Sequence, residues 1–282
     1  METFFSFLER RVDDCSSLLC IGLDPHLADL NSPTAEAALD FSLQIVKETS
    51  SYAAAFKPNA AFFEFFGAEG WTALKQLIEA IAKESRRLGS MIPVILDAKR
   101  GDIASTAEAY AKSTFEHLGA DCITLNPYLG KDSIDPFLDY PEKGAFLLCK
   151  TSNPGSDDLQ NLHVSPLPEE EGAGVRALYE HVAQLAQSWN TGNNIGLVVG
   201  ATQPEALARV RAAAPDLWFL APGVGAQGGD LETALKAGLR ADGKGMLINV
   251  SRSIARAESP NRAAAELRDE ILETRYSIFG NL

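Results

Sequence analysis

Eight short apolar runs, separated by segments with apolar residues at helical spacing, constrain the fold of this chain most strongly. They predict strands at residues 18–23, 53–56, 91–96, 122–125, 145–149, 195–199, 217–221 and 246–250. Helices are predicted at residues 3–13, 34–52, 62–88, 103–118, 134–138, 175–189, 204–214, 231–237 and 260–276. Strands that alternate with helices build parallel sheets, and eight such units in 282 residues are typical of an α/β fold, the (β/α)8 TIM barrel. We predict a single domain of this type over residues 1–282.

Two segments interrupt the regular pattern. The helix at 62–88 is expected in two pieces, broken near Gly67 and Gly70. Residues 151–174 are rich in proline, glycine, asparagine and acidic side chains. Loops of this length inside a compact domain are usually lids or disordered insertions, so we expect a long loop insertion there.

Composition restricts the partners and the compartment. A formal net charge of -13 disfavours nucleic acid and anionic membranes as partners, because their phosphates would be repelled. The four cysteines have no Cys-x-x-Cys spacing and are predicted to be buried free thiols in a reducing compartment. Acidic and aromatic residues stand where a signal peptide would have its basic region, and no long apolar segment follows. We therefore expect a soluble, cytoplasmic protein.

Polar or special residues follow most of the predicted strands. In a (β/α)8 barrel the carboxyl ends of the strands carry the active site, whereas the opposite face carries stability. The residues at these positions are Asp24, Lys57, Asp97, Lys99, Asn126, Ser152, Gln227 and Arg252. This distribution predicts an active site at that face.

The stretch at residues 91–106 concentrates the most charge. Asp97 and Lys99 are two residues apart and should share one face of a strand, while Asp102 follows Gly101 at a natural N-cap position. Together with Lys57 they predict an alternating array of carboxylates and ammonium groups. Flanking carboxylates favour a protonated lysine, which is then a placed proton donor. The alternative is a structural ion-pair network at a strand end.

Residues 223–228 fit the pattern G-x-G-x-x-G. A dinucleotide site would normally have this motif after its first strand, and here it follows the seventh. Glycine-rich loops after the last two strands of a barrel commonly bind phosphate through backbone N–H groups, and Arg252 would add a bidentate contact. The simpler alternative is a plain loop with a surface arginine. The four histidines show no spacing typical of metal ligands.

The segment from Asp97 to Ile103 resembles the Asp-x-Lys-x-x-Asp-Ile signature of the orotidine 5′-monophosphate decarboxylase family. Further positions resemble family motifs in order and spacing: Asp24, Lys57, Thr106, Ser152, Pro222 to Gly229 with Gln227, and Ser251 to Ile254 with Arg252. The 156–174 segment and the motifs Lys-Pro-Asn and Asn-Pro-Tyr resemble the divergent bacterial subgroup, type 2. Ser251 stands where many members have glycine, and Asn126 stands where several have histidine.

The resemblance implies that orotidine 5′-monophosphate loses CO₂ to give uridine 5′-monophosphate, without a metal or cofactor. Lys99, Asp97, Lys57 and Asp102 would be catalytic, with Lys99 protonating the carbon. Substrate binding is implied for Asp24, Lys57, Ile103, Thr106, Ser152, Pro222, Gln227, Ser251 and Arg252. The resemblance also implies a homodimer, in which Asp102, Ile103 and Thr106 reach into the partner's site.

Three other functions remain open. Related metal-dependent sugar-phosphate enzymes share Asp-x-Lys-x-x-Asp but have a carboxylate after the second strand, where Lys57 would repel a divalent cation. A phosphate-binding or regulatory barrel would bind nucleotide without turnover. A Schiff-base aldolase would need a neutral lysine, which carboxylates around Lys99 disfavour.

Overall fold

A computed structural model describes residues 2–165, 175–224 and 230–280 of the chain. Its strands are β1 (Leu19–Leu23), β2 (Ala55–Pro58), β3 (Ile95–Arg100), β4 (Cys122–Leu125), β5 (Gly144–Lys150), β6 (His163–Val164), β7 (Arg176–Ala177), β8 (Ile195–Val199), β9 (Phe219–Pro222) and β10 (Met246–Val250). Eight of them form one sheet in the order β2-β1-β10-β9-β8-β5-β4-β3, and all of its pairings are parallel. Parallel bridges from Phe56 to Val94 and from Asn59 to Asp97 join the two edges. The predicted (β/α)8 barrel is confirmed.

The helices surround the barrel. They are α1 (Phe4–Cys15), α2 (Ala35–Thr49), α3 (Ala60–Glu64), α4 (Gly67–Leu88), α5 (Ala104–Lys112), α6 (Asp135–Leu138), α7 (Leu178–Trp189), α8 (Pro204–Ala213), α9 (Leu231–Gly238), α10 (Arg252–Ala255) and α11 (Pro260–Phe279). Phe5 in α1 packs against Phe146 near the start of β5 and stacks on Trp218 just before β9. Helix α1 therefore covers the amino-terminal end of the barrel, which leaves the carboxyl ends of the strands for a site.

The predicted break in the helix at 62–88 is confirmed near Gly67, whereas the break predicted near Gly70 is wrong. Helix α4 begins at Gly67, which has a φ of +63° that favours glycine. Gly70 lies inside α4, and a Cβ there would be 1.7 Å from the carbonyl oxygen of Phe63. Gly70 therefore lets α3 pack closely on α4 rather than ending a helix.

The insertion after β5 is partly ordered. Residues Pro154–Asp158 form a 3-10 turn, and β6 pairs antiparallel with β7. Because Arg176 and Ala177 pair with β6, helix α7 begins at Leu178 rather than at the predicted residue 175. Residues 166–174 of the predicted loop lie outside the described residues.

The four cysteines are free and buried, as predicted. Burial raises the pKa of the Cys20 thiol to about 12, so this group stays protonated and unreactive at neutral pH. Among the described residues, none of the helices is both long and apolar enough to cross a membrane.

Candidate active site

A cavity of about 250 Å³ opens at the carboxyl ends of the barrel strands. Its lining comprises Lys57, Asp97, Lys99, Thr124, Leu148, Thr151, Ser152, Asn153, Val198, Leu220, Pro222 and Asn249. Five predicted site residues from β2, β3, β9 and the loop after β5 therefore meet at one place. We name this cavity the lysine cavity.

Asp97 is the centre of an ion network in the lysine cavity. Its Oδ2 accepts a hydrogen bond from Lys57 Nζ at 2.7 Å, and its Oδ1 accepts one from Lys99 Nζ at 2.5 Å. The side chains of Lys57 and Asp97 are only 6% and 11% exposed, whereas that of Lys99 is 50% exposed. The predicted shared face of Asp97 and Lys99 is confirmed, and Lys99 is the group with access to solvent and ligand.

Opposite charges keep this network ionised despite its burial. Burial alone would lower the pKa of Lys57, but the carboxylates of Asp97 and Asp24 outweigh it and raise the pKa well above its ordinary value. Burial would likewise raise the pKa of Asp97, yet the ammonium groups of Lys57 and Lys99 hold that pKa well below the usual range. The network therefore presents fixed charges at neutral pH.

The charged residues lie on β3 itself, although the sequence predicted that this strand ends at Leu96. The pairing of β3 with β4 shifts between Leu96 and Arg100, so that residues 97–99 lie opposite Thr124 alone. This is a β-bulge, a feature that often re-aims side chains beside active sites. Lys99 has a φ of +47°, a left-handed conformation that costs about 1–2 kcal/mol for a residue with a Cβ.

Thr124 is a site residue that sequence reasoning missed. It is buried, lines the lysine cavity, and its hydroxyl contacts Asp97 at 3.0 Å. The available signal was a polar residue inside the apolar run at 122–125, sharing a face with Cys122.

A second cavity of about 110 Å³ adjoins the first, and we name it the arginine cavity. It is lined by Asp24, Pro222, Gly223, Val224, Asn249, Val250, Ser251 and Arg252. Pro222 and Asn249 line both cavities. Gly22 keeps this region compact, since a Cβ there would lie 2.8 Å from Ser251 Cβ and 3.3 Å from an Asp24 carboxylate oxygen.

The arginine cavity contains polar atoms that lack a partner. Within the described parts of the chain, Asp24 Oδ1 and Asn249 Oδ1 are buried and make no hydrogen bond. Burying a polar atom without a hydrogen bond costs free energy, unless a ligand or a water molecule supplies the missing bond. Asn249 was not identified from the sequence, because it lies inside the apolar run at 246–250.

Two further predicted site residues belong to the segments that follow β5 and β9. Ser152 lies beside Gly200, where a Cβ would come within 3.1 Å of the Ser152 Cβ. Lys150, buried just before it, donates to Ser156 Oγ at 3.0 Å and Asp157 Oδ1 at 3.1 Å and thereby holds the loop after β5. Gln227 lies outside the described residues.

Asp102 does not join the ion network of its own chain. Its Oδ1 accepts a hydrogen bond from the amide of Ile103 at 2.8 Å, and no ion pair to Lys57 or Lys99 forms within the described residues. The N-cap prediction for Asp102 is wrong, because Ala104 is left-handed and helix α5 begins there with Ile103 as its N-cap. Ile103 and Thr106 are exposed.

A larger cavity of about 890 Å³ lies elsewhere, between the β6–β7 ribbon and helices α8 and α9. Arg209 at its wall is paired with Glu180 at 3.0 Å. We take the two smaller cavities as the candidate active site, since convergent buried charges indicate chemistry and volume alone does not.

A barrel with a buried lysine–carboxylate network at the carboxyl ends of its strands belongs to the class of TIM-barrel enzymes. Within that class, residues 17–267 match the family model described as "Orotidine 5'-phosphate decarboxylase / HUMPS family". The chain belongs to this family.

Relatives match over nearly the whole chain. The orotidine 5′-phosphate decarboxylase of Roseiflexus castenholzii is 48% identical over 279 residues, which cover 98% of this chain and 97% of the relative. The structure of Leishmania donovani OMP decarboxylase has 54% identity and a TM-score of 0.85, and covers 97% of this chain and 99% of its own. Leishmania donovani UMP synthase, with 55% identity and a TM-score of 0.87, matches 98% of this chain, which spans 57% of that longer protein.

Proposed function

We propose that this protein converts orotidine 5′-monophosphate to uridine 5′-monophosphate and CO₂ in pyrimidine biosynthesis, without a metal or cofactor. The observation that carries the proposal is the network in which Asp97 accepts from both Lys57 and Lys99 inside one cavity. Lys57 also disfavours the metal-dependent sugar-phosphate chemistry, because its buried ammonium group would repel a divalent cation.

The reaction breaks the bond between carbon 6 of the pyrimidine and its carboxylate. The electron pair stays on carbon 6, and CO₂ leaves. The ammonium group of Lys99 stabilises the developing carbanion and delivers a proton to it, while Asp97 faces the departing carboxylate and fixes both lysines. Because Lys99 is half exposed, water can restore its proton after each turnover.

The two adjoining cavities support a division of the nucleotide between them. The pyrimidine would lie in the lysine cavity against Ser152 and Pro222, and the ribose hydroxyls would contact Asp24 and Lys57. The phosphate would lie in the arginine cavity. Its ligands would be Arg252, the backbone at Ser251 and the side chain of Gln227. Asp24 Oδ1, buried without a partner among the described residues, is an acceptor that a ribose hydroxyl would satisfy.

A homodimer with shared sites is part of the proposal. Large apolar residues are exposed in the segments that follow β2, β3 and β4: Phe65 is 66% exposed, Ile103 52%, Tyr128 79% and Leu129 48%. A second copy would cover this apolar surface. Asp102, Ile103 and Thr106 would then reach the partner's lysine cavity, which accords with the absence of an ion pair from Asp102 to Lys57 or Lys99 within the described part of its own chain.

Mixing two inactive variants tests the shared site. Lys99→Ala and Asp102→Ala are each expected to be inactive alone, and exchange of subunits creates mixed dimers with one intact site, so activity returns. Light scattering should give twice the chain mass. A monomer, or no activity after subunit exchange, would contradict this part of the proposal.

We further infer one domain and a cytoplasmic location. All eight barrel strands share one sheet, and the four buried cysteines are free thiols, which suits a reducing compartment. Thermal unfolding in one cooperative transition, without change on adding a reductant, is the expected result.

The absorbance change on conversion of orotidylate to uridylate tests the activity. We expect turnover in the presence of a chelator and its loss in Lys99→Ala, with uridylate still bound by the variant. Activity only with added magnesium, or turnover of a sugar phosphate instead, would overturn the proposal. Borohydride trapping of a substrate on Lys99 would indicate Schiff-base chemistry instead.

A further inference from the structure

We propose that Thr124 is a positioning residue that sets the location of Lys99 and Asp97 for the decarboxylation proposed above, on which this inference rests. Thr124 is buried in β4 at the wall of the lysine cavity. It lies where β3 departs from regular pairing, at the residues that carry the two charges.

The hydrogen bonds of the Thr124 hydroxyl fix its orientation. Its oxygen accepts from the backbone amides of Ala98 at 3.1 Å and Lys99 at 3.0 Å, and it lies 3.0 Å from Asp97 Oδ1. A hydroxyl has two acceptor lone pairs and one donor hydrogen. Since both amides can only donate, the hydrogen of Thr124 must point at Asp97.

This geometry separates positioning from substrate binding. All three hydrogen-bonding capacities of the hydroxyl are used within the protein, so none remains for a ligand. Thr124 therefore acts through Asp97 and Lys99 and not through the nucleotide.

The bulge explains why β4 needs a hydroxyl at this position. Three residues of β3, Asp97 to Lys99, lie opposite Thr124 alone, so a regular ladder cannot pair the amides of Ala98 and Lys99. The hydroxyl takes the place of a main-chain acceptor for both amides. It thereby holds Lys99 at a φ of +47°, a conformation that an L-residue leaves unless its surroundings keep it there.

Loss of the hydroxyl should displace the proton donor while leaving nucleotide binding in place. The ammonium group of Lys99 lies 2.5 Å from Asp97 Oδ1, the same oxygen that Thr124 contacts. Asp24 and Arg252 belong to the segments after β1 and β10, which the bulge does not touch. The expected effect is therefore on kcat and not on affinity.

Thr124→Val tests this, because it removes the hydroxyl and keeps a β-branched side chain. We expect kcat to fall by about 10²-fold, the size of effect that a displacement of about 1 Å produces. KM and the Kd for uridylate should change little. Thr124→Ser keeps the hydroxyl and should restore most of kcat. Thr49→Val removes a buried hydroxyl that bonds Ile45 in α2, far from the site, and should leave kcat unchanged.

Hydrogen exchange gives a measurement that needs no substrate. The amides of Ala98 and Lys99 should exchange faster in Thr124→Val than in wild type, and not in Thr49→Val. If Thr124→Val does not fold, Thr124→Ala takes its place, since a smaller residue avoids any clash with the bulge. Retained kcat, equal losses of kcat and uridylate affinity, or failure of Thr124→Ser to restore kcat would overturn the inference. A wild type without decarboxylase activity but with protected amides would instead overturn the proposed function.

Discussion

The two cavities of the site differ in how completely the protein satisfies its own polar groups. In the lysine cavity, the carboxylate of Asp97 accepts hydrogen bonds from Lys57, Lys99 and Thr124. In the arginine cavity, a buried carboxylate oxygen of Asp24 has no partner within the described residues. One half of the site is preorganised, and the other has an acceptor that remains available to a ligand.

This difference follows from the work each half is proposed to do. Stabilising a carbanion requires charges that are fixed before the reaction begins, because reorganising them during the reaction would add to the barrier. Binding a nucleotide requires groups that gain partners when it arrives. Binding energy at the phosphate and ribose can then be used to hold the reacting carbon against Lys99.

Replacing Asp97 should have the largest effect on stability. Asp97→Asn leaves the ammonium group of Lys57 buried without its main counter-charge, and breaking a buried pair in this way costs about 3–5 kcal/mol. Urea unfolding measures the loss, and activity should fall as well. The control is Glu232→Gln, which breaks the exposed pair with Lys236 and should cost no more than about 1 kcal/mol. Equal effects of the two variants would show that the buried network contributes no more to stability than an exposed ion pair does.

The stability that the network contributes should depend on pH only at the extremes. Because folding lowers the pKa of Asp97, the ionised carboxylate stabilises the folded state above its unfolded pKa of about 4. This stability is lost as the pH falls towards the folded value. Because folding raises the pKa of Lys57, its ammonium group stabilises the folded state below about pH 10. This stability is lost as the pH rises through the folded value. As the pH falls below about 4, Asp97 takes up a proton and the difference in unfolding free energy between wild type and Asp97→Asn should shrink. A difference that stays the same or grows there would contradict an ionised Asp97.

Replacing Asp24 should affect binding more than folding. Asp24 forms no ion pair in the described structure and supports the charge of Lys57 less than Asp97 does, so Asp24→Asn should lower the unfolding free energy by less than Asp97→Asn. Loss of a charged hydrogen bond to a ribose hydroxyl should weaken uridylate binding by about 10- to 100-fold. Calorimetry of uridylate binding, beside urea unfolding of the same sample, separates the two effects. A large loss of stability with normal uridylate binding would show that Asp24 serves folding rather than ligand binding.

The smallest effect on stability is expected at Arg252. This residue is exposed at the start of α10, so Arg252→Gln should leave the unfolding free energy unchanged. Uridylate should bind more weakly, whereas uridine, which lacks the phosphate, should bind as it does to wild type. An equal loss for both ligands would place the phosphate outside the arginine cavity.

The sequence alone determined the architecture and the face that carries the site. Alternating strand and helix patterns are local properties of the chain, and the eight predicted runs correspond to the eight barrel strands. Since parallel strands bring their carboxyl ends to one end of the barrel, residues as distant as Lys57, Asp97 and Ser152 could be placed together without coordinates.

Only the tertiary structure decided how these residues are held. The bulge in β3, the left-handed Lys99 and the contact of Thr124 with Asp97 depend on the register between β3 and β4, which no local pattern specifies. The same cause explains the error at Asp102, because the irregular backbone after β3 moves the start of α5 to Ala104. The hydrophobic periodicity of the sequence indicates which face of a strand or helix a side chain occupies. Hydrogen-bond partners across strands depend on the packing of the whole barrel.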